Sequence, residues 1–442
     1  MKEMEKMEKM EKMMKAMIFK GNQEISENNF LELSMIPVPE VKSDEILIKV
    51  YACGVCRTEL DQIEGRIIAP KLPIVLGHQP VGVVEQIGNK VRKFKIGDIA
   101  GATWIYSSCG KCKFCLRGYD NLCLDFKATG CHENGGYAEY MVIKEDYAHK
   151  IPEELIDFEP ITSITANTNN ITKIDTISTT KITTNNININ TNTTTTTAAS
   201  TAAATTAATT TTTTTNNNNN NNKYINQIKH NKNNPNIDNI GNIDNLLYVA
   251  PLMCSGVVGY RSLKLTNMED EKTLGLYGFG SAHHLVLQIA NFLYPNSKKF
   301  VFTRNLEERE LAKKLGADWA GGIEDKAPEK LDCIIDTTPV WKTIIYALEN
   351  LQRGGRLVLN LIRKENSDKN FLLNLNYEKH LWLEKEIKST ANVTKKDGEE
   401  FLAIASKMKI KPQIKVYKLE DANEALTDLK HGKFPGSKVL KI

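Results

Sequence analysis

Four cysteines stand close together at Cys109, Cys112, Cys115 and Cys123, in the spacing C-x2-C-x2-C-x7-C. Zinc takes four thiolates tetrahedrally, and a short loop rich in glycine and lysine can bring four sulfurs to one point. Gly110 and Gly118 allow the tight turns, and Lys111, Lys113 and Arg117 offset part of the negative charge of a tetrathiolate. The rival readings are a disulfide framework, an iron–sulfur site or coincidence. Cysteines are sparse elsewhere, and the N-terminal Met-Glu-Lys repeats do not read as a secretory signal, so disulfides are disfavoured. The expectation is a structural zinc that staples a lobe together.

Cys56, His78 and Cys254 form a second possible metal set. A catalytic zinc keeps three protein ligands and one open position, and two cysteines with one histidine are an attested set. Ligands so far apart carry little information in their spacing. Cys53-x-x-Cys56, following a strand-like stretch, reads equally as a redox dithiol. That alternative leaves the cysteine cluster and the nucleotide-binding pattern below without a role. Cys131, His132 and Cys333 read as packing or surface residues.

Gly278-Phe279-Gly280 follows an apolar stretch and opens a helical pattern, as a dinucleotide turn requires. Backbone amides and the helix N-terminus there would face a pyrophosphate. The third fingerprint position is His283 instead of glycine or alanine; His283 and His284 read as helix-packing residues. An acidic residue that would bond the ribose 2′-hydroxyl, about twenty residues on, is missing. The second strand ends in Thr303-Arg304-Asn305. A neutral hydroxyl followed by a guanidinium suits a 2′-phosphate, so the reading favours NADP(H), with NAD(H) possible. The bland alternative is an exposed arginine at a strand end.

The elements that must position these residues follow from composition and periodicity. The chain has 442 residues, 41% hydrophobic and 25% charged, enough for two domains and a substantial core. A formal charge of +4 gives no reason to expect a nucleic-acid partner, and no run of about 18 apolar residues suggests a membrane span. Nine cysteines outside a secretory context point to a reduced, cytoplasmic setting. Residues 1–15 repeat Met-Glu-Lys and read as a solvated extension. Residues 16–160 read as a β-rich lobe, with strands expected at 15–19 and 45–51, glycine-punctuated stretches at 76–84 and 91–98, and a turn and strand at 135–142. Residues 161–242 turn abruptly to Thr, Asn and Ala, including homopolymers at 209–215 and 216–222, and are expected to be a disordered insertion. Residues 243–390 alternate strand and helix. Strands are expected at 273–277, 299–303, 331–336 and 356–360, and helices from the glycine turn to 293 and at 306–315 and 341–351. Such alternation makes a doubly wound parallel sheet. Residues 391–442 return to mixed structure, with helices at 395–408 and 421–430 and strands at 414–419 and 438–442.

Gly54-Val55-Cys56-Arg57-Thr58, Gly77-His78-Gln79, the cysteine cluster, Ala250-Pro251-Leu252-Met253-Cys254-Ser255-Gly256 and Gly278-Phe279-Gly280 occur in one order along the chain. From about residue 16 to the end, apart from the insertion, this resembles the zinc-containing alcohol dehydrogenases of the medium-chain dehydrogenase/reductase family. The resemblance implies a GroES-like catalytic domain, assembled from both ends of the chain around a Rossmann domain. It implies two zinc ions per chain, a catalytic one on Cys56, His78 and Cys254 and a structural one on the cluster. It places Arg57 at the cofactor pyrophosphate and the Thr58 hydroxyl at the substrate oxygen. It further implies a homo-oligomer, dimer or tetramer, that exchanges hydride between a nicotinamide cofactor and a primary alcohol or aldehyde. Polyol or cinnamyl-type alcohols are the runner-up substrates, and a zinc-stapled, non-catalytic binding protein is the alternative from another class. Two residues depart from the pattern. Asp61 stands where a histidine often completes a proton relay, and reads either as a proton-accepting carboxylate or as a solvated helix residue. Gln79 replaces the commoner glutamate beside His78 and makes its surroundings less negative.

Overall fold

The strand Glu45–Val55 is buried along nearly its whole length, which requires neighbours on both edges and cover on both faces. In the computed structural model it is the central strand of a sheet that is antiparallel except at one edge. Pro80–Ile87 lies along one edge, Tyr140–Lys144 pairs with its first half, and Ser437–Lys441 pairs with its last residues, Val439 opposite Gly54. The end of the chain is therefore built into the lobe that the beginning forms. Ile99–Ala102 and Ala148–Lys150 extend one side of the sheet, and Ile414–Lys418 the other. The structure describes residues 12–21, 29–157, 243–432, 434 and 436–442. Most of the expected N-terminal extension and the whole Thr/Asn-rich insertion lie outside the described residues.

The second sheet is parallel. Its strands run in the spatial order Trp319–Gly321, Lys299–Phe302, Leu274–Tyr277, Leu331–Asp336, Leu351–Leu359 and Glu386–Ser389. This is the doubly wound arrangement, whose order reverses between Leu274–Tyr277 and Leu331–Asp336, the place where such sheets bind dinucleotides. The inner strands are covered on both faces and are almost wholly apolar. The two outer strands escape sequence reading because they are short and lack that signature: Glu386–Ser389 is EIKS and exposed throughout. Leu351–Leu359 begins earlier than expected, through Gly354 and Gly355. The stretch 91–98 is a loop instead of a strand; Gly97, at φ +92, turns it into Ile99–Ala102. The first strand, Met13–Phe19, starts within the Met-rich repeat, where Met14 is buried. The helix Lys395–Met408 forms as expected behind a Thr394/Asp397 capping box.

Helix Ser255–Leu265 joins the two sheets. A Cβ at Gly256 would lie 2.5 Å from the Phe401 ring and one at Gly259 would lie 2.6 Å from Val286 Cγ2, so two missing side chains let two helices approach closely. One continuous cluster runs from Ile46 and Ile48 through Met253 and Val257 to Leu274 and Phe401. Ile243–Leu265 is long and apolar enough to cross a membrane, yet 72% of its apolar 18-residue window is buried within the fold. That apolarity serves the core.

The points of departure and return of the insertion are tied together. Asn245, 1% exposed, donates from Nδ2 to the Ile156 carbonyl at 2.5 Å. Lys441 Nζ donates to Asp244 at 2.7 Å, and the Tyr51 hydroxyl donates to the same carboxylate. Closing a loop costs entropy only logarithmically, so about 85 residues instead of about 5 cost roughly 2–3 kcal/mol. Replacing residues 161–242 with a short Gly/Ser linker should therefore leave the fold and kcat intact and raise Tm slightly. Thermal unfolding of the two proteins side by side measures this, and a linker variant that is soluble but loses activity would show that the insertion is part of the working structure.

Candidate active site and metal centres

Strand Glu45–Val55 ends directly on Cys56, which caps the helix Arg57–Ile63 in an extended conformation. Glu59, in the first turn and wholly buried, reaches back, and the Cys56 N–H donates to its Oε2 at 2.8 Å. The other oxygen accepts from His78 Nδ1–H at 2.6 Å. A carboxylate accepts here, so one proton sits on Nδ1 and Nε2 is the nitrogen that can take a second proton or a cation. That nitrogen faces Cys254 Sγ at 3.2 Å. The ring is braced edge-on by Trp104, with centroids 5.1 Å apart. Cys254 enters from the second lobe, at the start of helix Ser255–Leu265. Cys56 Sγ, His78 Nε2 and Cys254 Sγ thus converge, all within 4.8 Å of one another. Thr58, also buried, places its hydroxyl oxygen 3.6 Å from Cys56 Sγ.

The electrostatics suit a cation. Burial raises the Glu59 pKa and would by itself lower that of His78, but the Glu59 carboxylate and the Cys56 sulfur together outweigh it and push His78 up to about 10, a preference for positive charge at the ring. The hydrogen bond with Cys254, ahead of the His78 ring, holds the Cys56 thiol well below its ordinary range; Cys254 is correspondingly raised. Two sulfurs and one imidazole nitrogen, with no fourth ligand in the group among the described residues, match the donor set of an open zinc site. Burial argues against the dithiol reading. Cys53 is fully buried, its sulfur packed toward Gly77 and Gly136, and burial raises its pKa well above normal.

Cys109, Cys112, Cys115 and Cys123 form a second convergent group. Cys112 and Cys115 sulfurs are 3.5 Å apart, and Cys109 and Cys115 sulfurs 3.9 Å. Gly110 and Gly118 have φ of +70 and +75, as the turns require. The N–H groups of Lys111 and Cys112, aimed at the Cys109 sulfur, bring its pKa down to about 6, which favours the thiolate a metal needs. The free cysteines include these four, so no disulfide competes.

At the dinucleotide turn, Gly278 leaves strand Leu274–Tyr277 at φ +81 and Gly280 caps helix Ser281–Leu293. His283 and His284 are buried against it, as expected of packing residues. Beyond the second strand Arg304 is exposed, but the buried Thr303 hydroxyl donates to the Glu308 carboxylate. Arg57 is turned toward Glu365, 3.7 Å away. Asp61 is no solvated helix residue: it is 6% exposed and accepts from Arg66 Nε at 2.5 Å and Arg363 Nε at 3.4 Å. Gln79 does not leave His78 short of negative charge, because Glu59 supplies it. Glu59 was within reach of sequence reasoning, since it stands three residues after Cys56 at the capping-box spacing. Trp104, Glu308, Arg363 and Glu365 carried no such signal; only the fold brings them to the site.

These geometries agree with the relatives. Residues 42–153 match the family model of the alcohol dehydrogenase GroES-like domain. The chain is 30% identical, over 93% of each sequence, to a probable alcohol dehydrogenase AdhA of Mycobacterium tuberculosis. A solved CAD from Helicobacter pylori complexed with NADP(H) superposes with a TM-score of 0.66 and 19% identity, covering 98% of this chain and 99% of that one. A cobalt- and zinc-bound thermostable alcohol dehydrogenase from Pyrobaculum aerophilum gives 0.67 and 18%, covering 98% and 100%. The alcohol dehydrogenase relative and family model, with a GroES-like lobe joined to a doubly wound dinucleotide sheet, support a nicotinamide-dependent oxidoreductase of alcohols. The chain belongs to the zinc-containing alcohol dehydrogenases of the medium-chain dehydrogenase/reductase family.

Glu59→Ala should free the His78 ring and weaken metal retention at Cys56, His78 and Cys254 by about ten- to a hundredfold, while the cysteine cluster keeps its metal. Chelator competition followed by metal analysis distinguishes the two sites; equal loss from both would contradict the role given to Glu59.

Proposed function

We propose that Cys56, His78 and Cys254 hold a catalytic zinc and that Cys109, Cys112, Cys115 and Cys123 hold a structural one. With them the chain interconverts small primary alcohols and aldehydes, using NADP(H) in preference to NAD(H). The observation that carries this reading is the convergence of three ligand atoms from three distant segments, one of them a histidine fixed in the metal-binding tautomer by Glu59. A zinc ion in such a site acts as a Lewis acid toward an alcohol or carbonyl oxygen. The chain does the rest. Thr58 offers a buried hydroxyl beside the ligands to hold the substrate's hydroxyl proton and pass it outward. The turn at Gly278 and Gly280 anchors the cofactor's phosphates, so that its ring is held for hydride exchange. Asp61 already accepts hydrogen bonds from two guanidinium groups, so it serves as an anchor for Arg363 and Arg66 and not as the next acceptor in the relay. Exposed Trp382, Leu383 and Ile387 beside the edge strand Glu386–Ser389 support a homo-oligomer.

A cofactor-coupled screen of alcohols and aldehydes on zinc-loaded protein tests the activity, with about two zinc ions per chain expected. Cys254→Ala should abolish turnover yet leave a folded chain with one zinc. Cys112→Ala should destabilise the fold, because a closed structural site contributes folding energy directly. Full activity in Cys254→Ala would refute the ligand assignment.

The cofactor preference rests on Arg304 and on the neutral Thr303 at the strand end. Arg304→Ala should lower kcat/KM for NADPH about ten- to a hundredfold more than for NADH, since a charge-assisted hydrogen bond is worth about 1.5–3 kcal/mol. Equal losses with both cofactors would show that Arg304 does not read a 2′-phosphate.

A further inference from the structure

The third position of the dinucleotide fingerprint is held by His283, where the motif asks for a residue without bulk so that helix and strand can pack closely. A ring at that point has to be accommodated, and the structure shows what it does. His283 is 0% exposed. Its Nδ1 lies 2.6 Å from the carbonyl oxygen of Gly278 and 3.4 Å from Thr337 Oγ1. A carbonyl accepts and never donates, so the proton sits on Nδ1. Nε2 has no partner among the described residues. Burial lowers the pKa to about 4, so the ring stays neutral with this one N–H in place at physiological pH.

Gly278 is the hinge of the turn. At φ +81 it holds a conformation that side chains seldom adopt, and a Cβ there would press on Thr337 Oγ1 at 3.0 Å and Thr338 Cγ2 at 3.1 Å. Its N–H is already fixed, donating to the Phe302 carbonyl at 2.8 Å. Its carbonyl is the remaining degree of freedom. A trans peptide is planar, with C=O and N–H pointing in opposite directions. Holding the Gly278 oxygen inward therefore aims the Phe279 N–H outward, to the side from which a pyrophosphate would approach the helix N-terminus.

We propose that His283 is a positioning residue for cofactor binding: its Nδ1–H clamps the Gly278 carbonyl and thereby presets the Phe279 amide toward the cofactor phosphates. The proposal rests on the placement of the cofactor at the Gly278–Gly280 turn. The clamp acts on the phosphates common to both cofactors, so it supports NADH and NADPH alike and leaves their ratio to the strand end at Thr303 and Arg304.

The test is the equilibrium Kd of NADH and of NADPH, read from cofactor fluorescence on the zinc-loaded full chain, together with kcat and cofactor KM. His283→Ala should raise both Kd values by a similar factor, about five- to twentyfold for one hydrogen bond and the looser turn, with kcat at saturating cofactor within about twofold. His283→Asn places an N–H where Nδ1–H stood and should restore both Kd values to within about threefold, although it leaves part of the ring's volume empty. His283→Phe fills that volume without a donor and should bind as weakly as the alanine variant. If the alanine variant does not fold, the Asn and Phe pair carries the comparison alone. Phe binding as well as wild type, or Asn binding no better than Ala or Phe, would reduce His283 to packing and overturn the proposal. Gly280→Asp separates this from the placement itself. Its Cβ meets nothing within 4 Å and its backbone is extended, so the change adds a charge at the helix N-terminus without a clash. Weak binding in Gly280→Asp with normal binding in His283→Ala refutes the clamp alone. Normal binding in Gly280→Asp refutes the cofactor placement and the clamp with it.

Discussion

The carboxylate of Glu59 is the constraint on which the proposed metal site depends. It is wholly buried, and a buried charge survives only with full compensation. Its two oxygens are both used, one on the Cys56 N–H and one on His78 Nδ1. The first contact fixes where the helix Arg57–Ile63 begins and so where the Cys56 sulfur stands. The second fixes the tautomer and rotation of His78. Removing one partner from such a buried pair costs about 3–5 kcal/mol, so the two ligands are held as one unit rather than as two independent side chains. Gln79 in the place of a more common glutamate is tolerable for this reason: the negative charge beside the histidine comes from the helix.

The third ligand is held by different physics. Cys254 belongs to the segment that joins the two sheets, and among the described residues no hydrogen bond anchors its backbone to the other ligands. Its position follows from packing. Gly256 against Phe401 and Gly259 against Val286 set the depth of the helix that starts beside it, and Met253 is buried against Gly101 of the antiparallel sheet. A larger residue at either helix glycine would push the helix outward, and the cysteine with it. Two ligands fixed by one buried carboxylate and one by steric fit make a site that closes only when both lobes are folded.

Much of this was legible in the chain. The cysteine cluster is local, so its ligand spacing is written directly in the sequence, and the alternating pattern after residue 273 gave the parallel sheet because its inner strands are buried on both faces and cannot avoid being apolar. The strands that were missed are the outer ones, such as Glu386–Ser389, where exposure removes the pattern that reading depends on. The proposed catalytic ligands are far apart, and their association rested on resemblance alone until the register of Glu45–Val55 with Pro80–Ile87, Cys53 opposite Pro80, and the shared core brought the segments together. The partners that adjust charge were the least legible. Glu308 beside Thr303, and Arg363 beside Asp61, join residues of ordinary type across turns or between lobes, where neither periodicity nor spacing leaves a trace.

Those late-found partners change how the cleft is understood. Arg57 and Arg363 both carry charges suited to a cofactor's phosphates, yet in the structure each faces a carboxylate across the lobes, Arg57 with Glu365 and Arg363 with Asp61. The segment that carries Arg363 and Glu365 is itself rigidly held. Lys364 Nζ is buried against Asp336 at 2.6 Å and donates to the Thr338 and Val340 carbonyls, while Asp368 accepts from the first amides of helix Lys342–Asn350. A flexible loop could follow its ion-pair partners wherever they moved. A loop fastened to the end of a central Rossmann strand cannot, so the two cross-lobe pairs constrain the lobes themselves. An arriving pyrophosphate must compete with Glu365 for Arg57, and both contestants are anions acting on one guanidinium. The long Arg57–Glu365 distance and its exposure make that exchange inexpensive, since a surface pair of this kind contributes about 0–1 kcal/mol. The shorter, buried Asp61–Arg66 pair is the one that stays, keeping the position that often carries a relay histidine occupied by structure instead of by chemistry.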